Sequence, residues 1–159
     1  MSLMSKFPRI CRVTFSRAVP ILLALIVFQV SVLAASPVIA VGPGSPSAPV
    51  VKRITVNGGQ GNDTITFEAY RHSFHGGVRV AVADVNGDGV PDIITAPGPG
   101  MGARVRVFDG VSGRPIRNFL AFPAFFRGGV YVAAGDLNGD GKADIIVGLD
   151  SGAPPIVRV

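Results

Sequence analysis

The sequence predicts an all-β chain: propeller-type blades of four antiparallel strands, incomplete at about two repeats, preceded by an N-terminal signal or anchor helix. Three observations predict it. A nine-residue Asp/Asn/Gly loop occurs twice, 52 residues apart, at 84–92 and 136–144. Around both copies apolar residues alternate with polar ones in short runs bounded by Gly, Pro, Asn and Asp, which is the strand signature. After the first 35 residues no stretch carries a 3.6-residue apolar period. A period near the top of the roughly 20–50-residue range indicates a propeller or array, and four strands per unit is the blade pattern.

The elements follow in chain order. Lys6, Arg9, Arg12 and Arg17 precede an apolar run over 18–35. Val32-Leu-Ala34 and Val38-Ile-Ala40 both offer a small-residue cleavage pattern. The run is longer than the ~7–15 residues of a signal core and close to the ~20 of a spanning helix. Residues 1–35 therefore read as a signal peptide or an N-terminal membrane anchor. Either way the repeats are exported, to the periplasm, the cell surface or beyond. Residues 36–50, with Pro37, Pro43, Pro46 and Pro49 among Gly, Ser and Ala, read as a linker.

The repeats occupy 51–159. A partial blade (51–73) holds the last two strands of a unit, a full blade spans 74–125, and a truncated blade spans 126–159. In the full blade Val78, Val80 and Val82 mark the first strand and Ile93-Ile94 the second. Val105 and Val107, alternating with Arg104 and Arg106, mark the third, and 116–122 the fourth. Asp109-Gly110 and Ser112-Gly113 supply the turn between the last two. Two units fall short of the ~4–8 blades of a closed propeller. Further blades or self-association are expected to cover the sheet edges.

The loops carry the chemistry. Each has oxygen side chains at positions 1, 3, 5 and 9: Asp84, Asn86, Asp88 and Asp92, then Asp136, Asn138, Asp140 and Asp144. Glycines stand at positions 4 and 6, where a tightly wound backbone needs left-handed conformations. A hard cation such as Ca²⁺ takes about 6–8 oxygen ligands, and this spacing supplies them. The plain alternative is an Asx-rich turn without metal, in which the carboxylates repel one another uncompensated. An EF-hand would need an acidic residue at position 12 and helical flanks; Thr95 and Val147 stand there instead.

The stretch from Gly76-Gly-Val78 through Asp92-Ile-Ile-Thr-Ala-Pro97-Gly-Pro-Gly100, then Arg104-Val-Arg-Val-Phe-Asp-Gly110, resembles the FG-GAP (VCBS-type, integrin-alpha-like) repeat proteins of bacteria. The second copy, from Gly128 to Val159, resembles them too, but departs from the pattern after Ile146, with Gly-Leu-Asp-Ser replacing Ala-Pro-Gly-Pro. The resemblance implies calcium-binding loops on the blades of a β-propeller. It implies side-chain ligands at Asp84, Asn86, Asp88 and Asp92 with the Val90 carbonyl. In the second loop it implies Asp136, Asn138, Asp140 and Asp144 with the Lys142 carbonyl. It points to adhesion or scaffolding.

Charge narrows the partners. The net charge of +5 comes mostly from the leader; from Val41 onward there are 11 basic and 10 acidic residues. That balance argues against a nucleic-acid-binding domain. Arg79, Arg104, Arg106, Arg114 and Arg117 read as the polar faces of strands. A membrane contact is expected only through an uncleaved N-terminal helix. The single cysteine, Cys11, lies in the leader, so calcium would be the staple of a small exported fold. Extracellular calcium supports sites of about 10⁻⁴–10⁻³ M. His72 and His75 read as surface loop residues, and the Gly-rich stretch around Gly58 and Gly61 as a hairpin. Phe119, Phe122, Phe125 and Phe126 read as core between blades. No nucleophile–base set is present, so no enzyme is expected. The expected function is an exported calcium-binding module that contacts a protein or glycan ligand. The alternative is a fragment or accessory part of a larger secreted enzyme.

Overall fold

The computed structural model describes residues 37–57 and 61–159. The expected signal or anchor helix over 1–35 lies outside the described residues. Among the described residues no helix is long and apolar enough to cross a membrane, and the secondary structure is entirely strand.

Three antiparallel sheets result. The first joins β1 (Val38–Val41), β2 (Val50–Asn57) and β3 (Gly61–Glu68) in that order. The second joins β4 (Val78–Ala83), β5 (Asp92–Pro97), β6 (Arg104–Phe108) and β7 (Pro115–Leu120). The third joins β8 (Val130–Gly135), β9 (Asp144–Leu149) and β10 (Val157–Arg158). The 52-residue repeat holds at the level of register. Val78 pairs with Pro97 as Val130 pairs with Leu149, and Arg106 pairs with Thr95 as Arg158 pairs with Val147.

Residues 37–50 are structured where a linker over 36–50 was expected. Val38-Ile-Ala-Val41 forms β1 on the edge of β2, with Ala40 opposite Arg53. A run of apolar and β-branched residues beside an unpaired strand edge pairs with it, because the edge offers free N–H and C=O groups. The Pro43 carbonyl then accepts the Val78 N–H at 2.9 Å. The segment is thereby built into the repeats, and the first sheet has three strands where two were expected.

The core lies between sheets. Ile93, with Val51, Ala69, Tyr70, Val78 and Phe108, fills the space between the first and second sheets. Its neighbour Ile94, with Val105, Val107, Phe122, Val130 and Val147, fills the space between the second and third. Successive strand residues point to opposite faces, so β5, buried along its whole length, serves both cores. The phenylalanine cluster divides. Phe122 is buried and Phe126 packs against the core, whereas Phe119 lies on the exposed strand β7 and Phe125 is 86% exposed.

Arginines tie the sheets in series. The Arg106 guanidinium donates to the Ala69 carbonyl at 2.6 Å, and Arg158, 52 residues on, donates to the Ala121 carbonyl at 2.8 Å. Arg79 donates to the Val130 carbonyl at 3.1 Å, pairs with Asp150 and lies 4.0 Å over the Tyr131 ring.

The repeated Gly-Gly pair has two separate reasons. Gly77 and Gly129 hold φ of 84° and 87°, which side chains avoid. Gly76 and Gly128 sit where an added methyl group would strike the carbonyls of Pro99 and Ser151. Gly135, by contrast, has open space beside it. Gly128→Ala is therefore expected to cost about 1–3 kcal/mol by overpacking, with Gly135→Ala within about 0.5 kcal/mol of the parent. Equal urea midpoints for the two variants would contradict this account.

Candidate metal centre

Both Asp loops connect the first and second strands of their sheets, β4 to β5 and β8 to β9. Strand flanks are incompatible with an EF-hand. The loops fold alike. The Asp84 carboxylate accepts N–H bonds from Gly87 at 2.6 Å and Gly89 at 2.8 Å. Asp136 accepts them from Gly139 at 2.7 Å and Gly141 at 2.9 Å. Asn86 Oδ1 accepts the Asp88 N–H, and Asn138 Oδ1 the Asp140 N–H, both at 2.8 Å. Asp88 accepts the Val90 N–H at 2.7 Å, and Asp140 the Lys142 N–H at 2.8 Å. The position-4 and position-6 glycines have φ near 80° in both loops, so each backbone wraps the same way.

Position 9 separates the two loops. Asp92 is fully buried. Its Oδ2 accepts the Val85 N–H at 3.0 Å and its Oδ1 the Gly110 N–H at 2.9 Å. It therefore ties the start of its own loop to the β6–β7 turn. Asp144 accepts the Leu137 N–H at 3.1 Å and is only partly buried. The residues after position 1 follow suit: Val85 is 7% exposed and Leu137 61%.

The loops touch each other. The Ala143 N–H donates to the Asp84 carbonyl at 2.7 Å, and the Lys142 side chain lies along Gly87. Asp109, unremarked in the sequence beyond its turn, joins the first loop by accepting from Asn86 Nδ2 at 3.2 Å.

The electrostatics follow the contacts. Burial pushes the Asp92 carboxyl above its usual range, with the nearby Asp88 charge adding to the rise and the Gly110 and Val85 N–H groups opposing it. The Gly141 and Gly139 N–H groups hold Asp136 below that range. The Ser112 hydroxyl, then its N–H, does the same for Asp109.

The donor set is all oxygen, which suits a hard cation. The carboxylates are turned onto loop N–H groups. Among the described residues no three His, Cys, Asp or Glu side chains gather as an ion-holding cluster. His72 contacts Glu68 at 2.7 Å and His75 the Ser73 carbonyl at 3.0 Å, as exposed loop residues.

The FG-GAP repeat family model matches residues 76–111 and 128–152. The chain is an FG-GAP-type repeat protein. Each matched segment begins at the first glycine of a Gly-Gly pair and spans one Asp loop with its flanking strands. FG-GAP repeats are typically ligand-binding or scaffold modules and are generally non-catalytic. No solved structure matches the chain.

Proposed function

We propose that this FG-GAP chain is an exported calcium-binding β-repeat module that holds out its loops to a protein or glycan ligand and performs no catalysis. The observation that carries the proposal is the equivalence of the two loops. Two all-oxygen sequences, 52 residues apart, adopt one backbone wrap on strands of one register. Asp84, Asn86, Asp88, Asp92 and the Val90 carbonyl would hold one Ca²⁺. Asp136, Asn138, Asp140, Asp144 and the Lys142 carbonyl would hold the other. Bound calcium would offset the clustered carboxylate charge and fix each β-hairpin. Val157 and Val159 are 64% and 75% exposed, whereas their counterparts Val105 and Val107 are fully buried. Further blades or a second copy would cover them.

Calorimetric titration of Ca²⁺ into the purified chain is the test, with thermal melts alongside. Two saturable sites are expected, lost in an Asp88→Ala/Asp140→Ala variant. Each adds about 2.7 kcal/mol of stability at a hundredfold excess over its Kd. A folded chain with neither heat of binding nor a shift in Tm would reduce the loops to Asx turns.

A further inference from the structure

At the end of the blades away from the Asp loops lies a cavity of about 710 Å³. Strand direction fixes its place. β4 and β6 both run toward the Asp-loop end, so the start of β6 and the links before β4 and after β7 gather at the other. Arg71 and Phe74 come from the link before β4, Arg104 and Arg106 from β6, and Arg127 from the link after β7. No aspartate or glutamate lines the cavity. Among the described residues the ion pairs involve Arg53, His72 and Arg79, so all four cavity arginines lack a carboxylate partner. Unmatched guanidinium groups therefore gather in this wall, while the carboxylates at the same end, Glu68 and Asp150, are engaged by His72 and Arg79.

The four arginines are held in different ways. Arg106 is fixed by the Ala69 carbonyl and by Phe108, whose ring lies 5.1 Å from the guanidinium. Arg104 donates to Asn118 Oδ1 at 2.9 Å. Arg71 and Arg127 are exposed. Two cations are thus pre-positioned in the wall and two stand at the rim. Four like charges around a concavity reinforce one another's field and attract anions. That all four are arginine favours oxyanions presenting two oxygens side by side, such as carboxylate or sulfate groups, which a guanidinium grips through two parallel N–H bonds. Phe74 and Met101 add an apolar stretch, and Asn118 and Ser73 add polar groups, the mixture of a small-ligand site. Tyr70 is buried with its hydroxyl donating to the Arg104 carbonyl at 2.8 Å. It supports the wall and offers no open face for stacking bases.

We infer that this cavity binds a small organic polyanion, specifically a saccharide of two or three rings carrying carboxylate or sulfate groups. The size fits, since sites of about 300–1,000 Å³ enclose ligands of that scale. The site shares no residue with the Asp loops, so it stands apart from the calcium proposal.

The test is calorimetry on the full chain with four probes: trigalacturonate, a trisulfated heparin disaccharide, neutral maltotriose and sodium sulfate. It is run in calcium and in chelator, with circular dichroism reporting the fold. At least one acidic saccharide should bind with a Kd that weakens as salt rises. Arg71→Ser/Arg127→Ser, both rim positions, should weaken it tenfold or more with the fold unchanged. Maltotriose and sulfate should bind at least tenfold more weakly. Binding in chelator by a folded chain would separate this site from the loops, whatever the calcium titration gives. No binding of either acidic saccharide to a folded chain would overturn the inference, as would an unaffected Kd in the double variant. Equal binding of maltotriose would do the same, and equal binding of sulfate would reduce the cavity to a simple anion site.

Discussion

Asp92→Ala is expected to lower the unfolding free energy by about 2–6 kcal/mol, because it strands two buried N–H groups at about 1–3 kcal/mol each. Those groups belong to Val85 and Gly110. Gly110 is also clamped from the first sheet, since the Arg53 guanidinium donates to its carbonyl. Losing Asp92 therefore loosens the Asp loop and the β6–β7 turn together. Asp92→Asn keeps the volume but turns an NH₂ group toward one of the two donors, so it should cost about 1–3 kcal/mol, the price of one unmet N–H. Asp144→Asn tests whether this is a matter of place or of motif. Asp144 stands at the same loop position but accepts only the Leu137 N–H and is partly exposed. Its substitution should cost under about 1 kcal/mol. Urea denaturation in chelator isolates these effects from metal binding. Equal losses at 92 and 144 would sink the argument.

Arg79→Ala should be the next most damaging change, at about 2–4 kcal/mol for its charged hydrogen bonds and ion pair, allowing for partial solvent screening. Arg79 and Asp150 are 25% and 22% exposed. The residue belongs to β4, yet Val130, Tyr131 and Asp150 all belong to the following repeat. Arg79→Lys keeps the charge but loses the fork that reaches a carbonyl and a carboxylate together, so it should fall between parent and alanine. A double-mutant cycle with Asp150→Ala should give a coupling of at least about 0.5 kcal/mol, the level at which directly contacting residues depart from additivity. Strict additivity would show that the pair contributes nothing between sheets.

The sequence revealed what repeats and little of what occurs once. Val78-x-Val80-x-Val82 and Val130-x-Val132 are legible as strands because alternation is local, and the shared 52-residue shift carries the pairing register with it. The Asp loops are legible because most of their side-chain bonds close within nine residues, as from Asp84 to Gly87 and Gly89. β1 was hidden because Val38 to Val41 pair only where β2 leaves an edge, and nothing local announces that edge. Phe125 and Phe126 are adjacent in sequence yet differ in burial, since clustering along the chain does not set direction in space. The cavity was the least visible feature. Arg71, Arg104, Arg106 and Arg127 come from three segments, and only the strand directions bring them to one end. Arg79, grouped with Arg104 and Arg106 by sequence, instead joins Asp150, while Arg114 and Arg117 stay exposed on the β6–β7 hairpin.

The Arg106–Ala69 and Arg158–Ala121 bonds join each sheet only to the one before it. A row fastened in this way behaves as a one-dimensional array, in which each member's stability is its own plus that of the junctions beside it. β5, buried against a neighbour on both faces, carries two junctions, and its amides should exchange with deuterium most slowly. Among the described residues the first and third sheets each share one such junction, and their amides should exchange faster than those of β5. Protection should then descend in steps from β5 outward along the row.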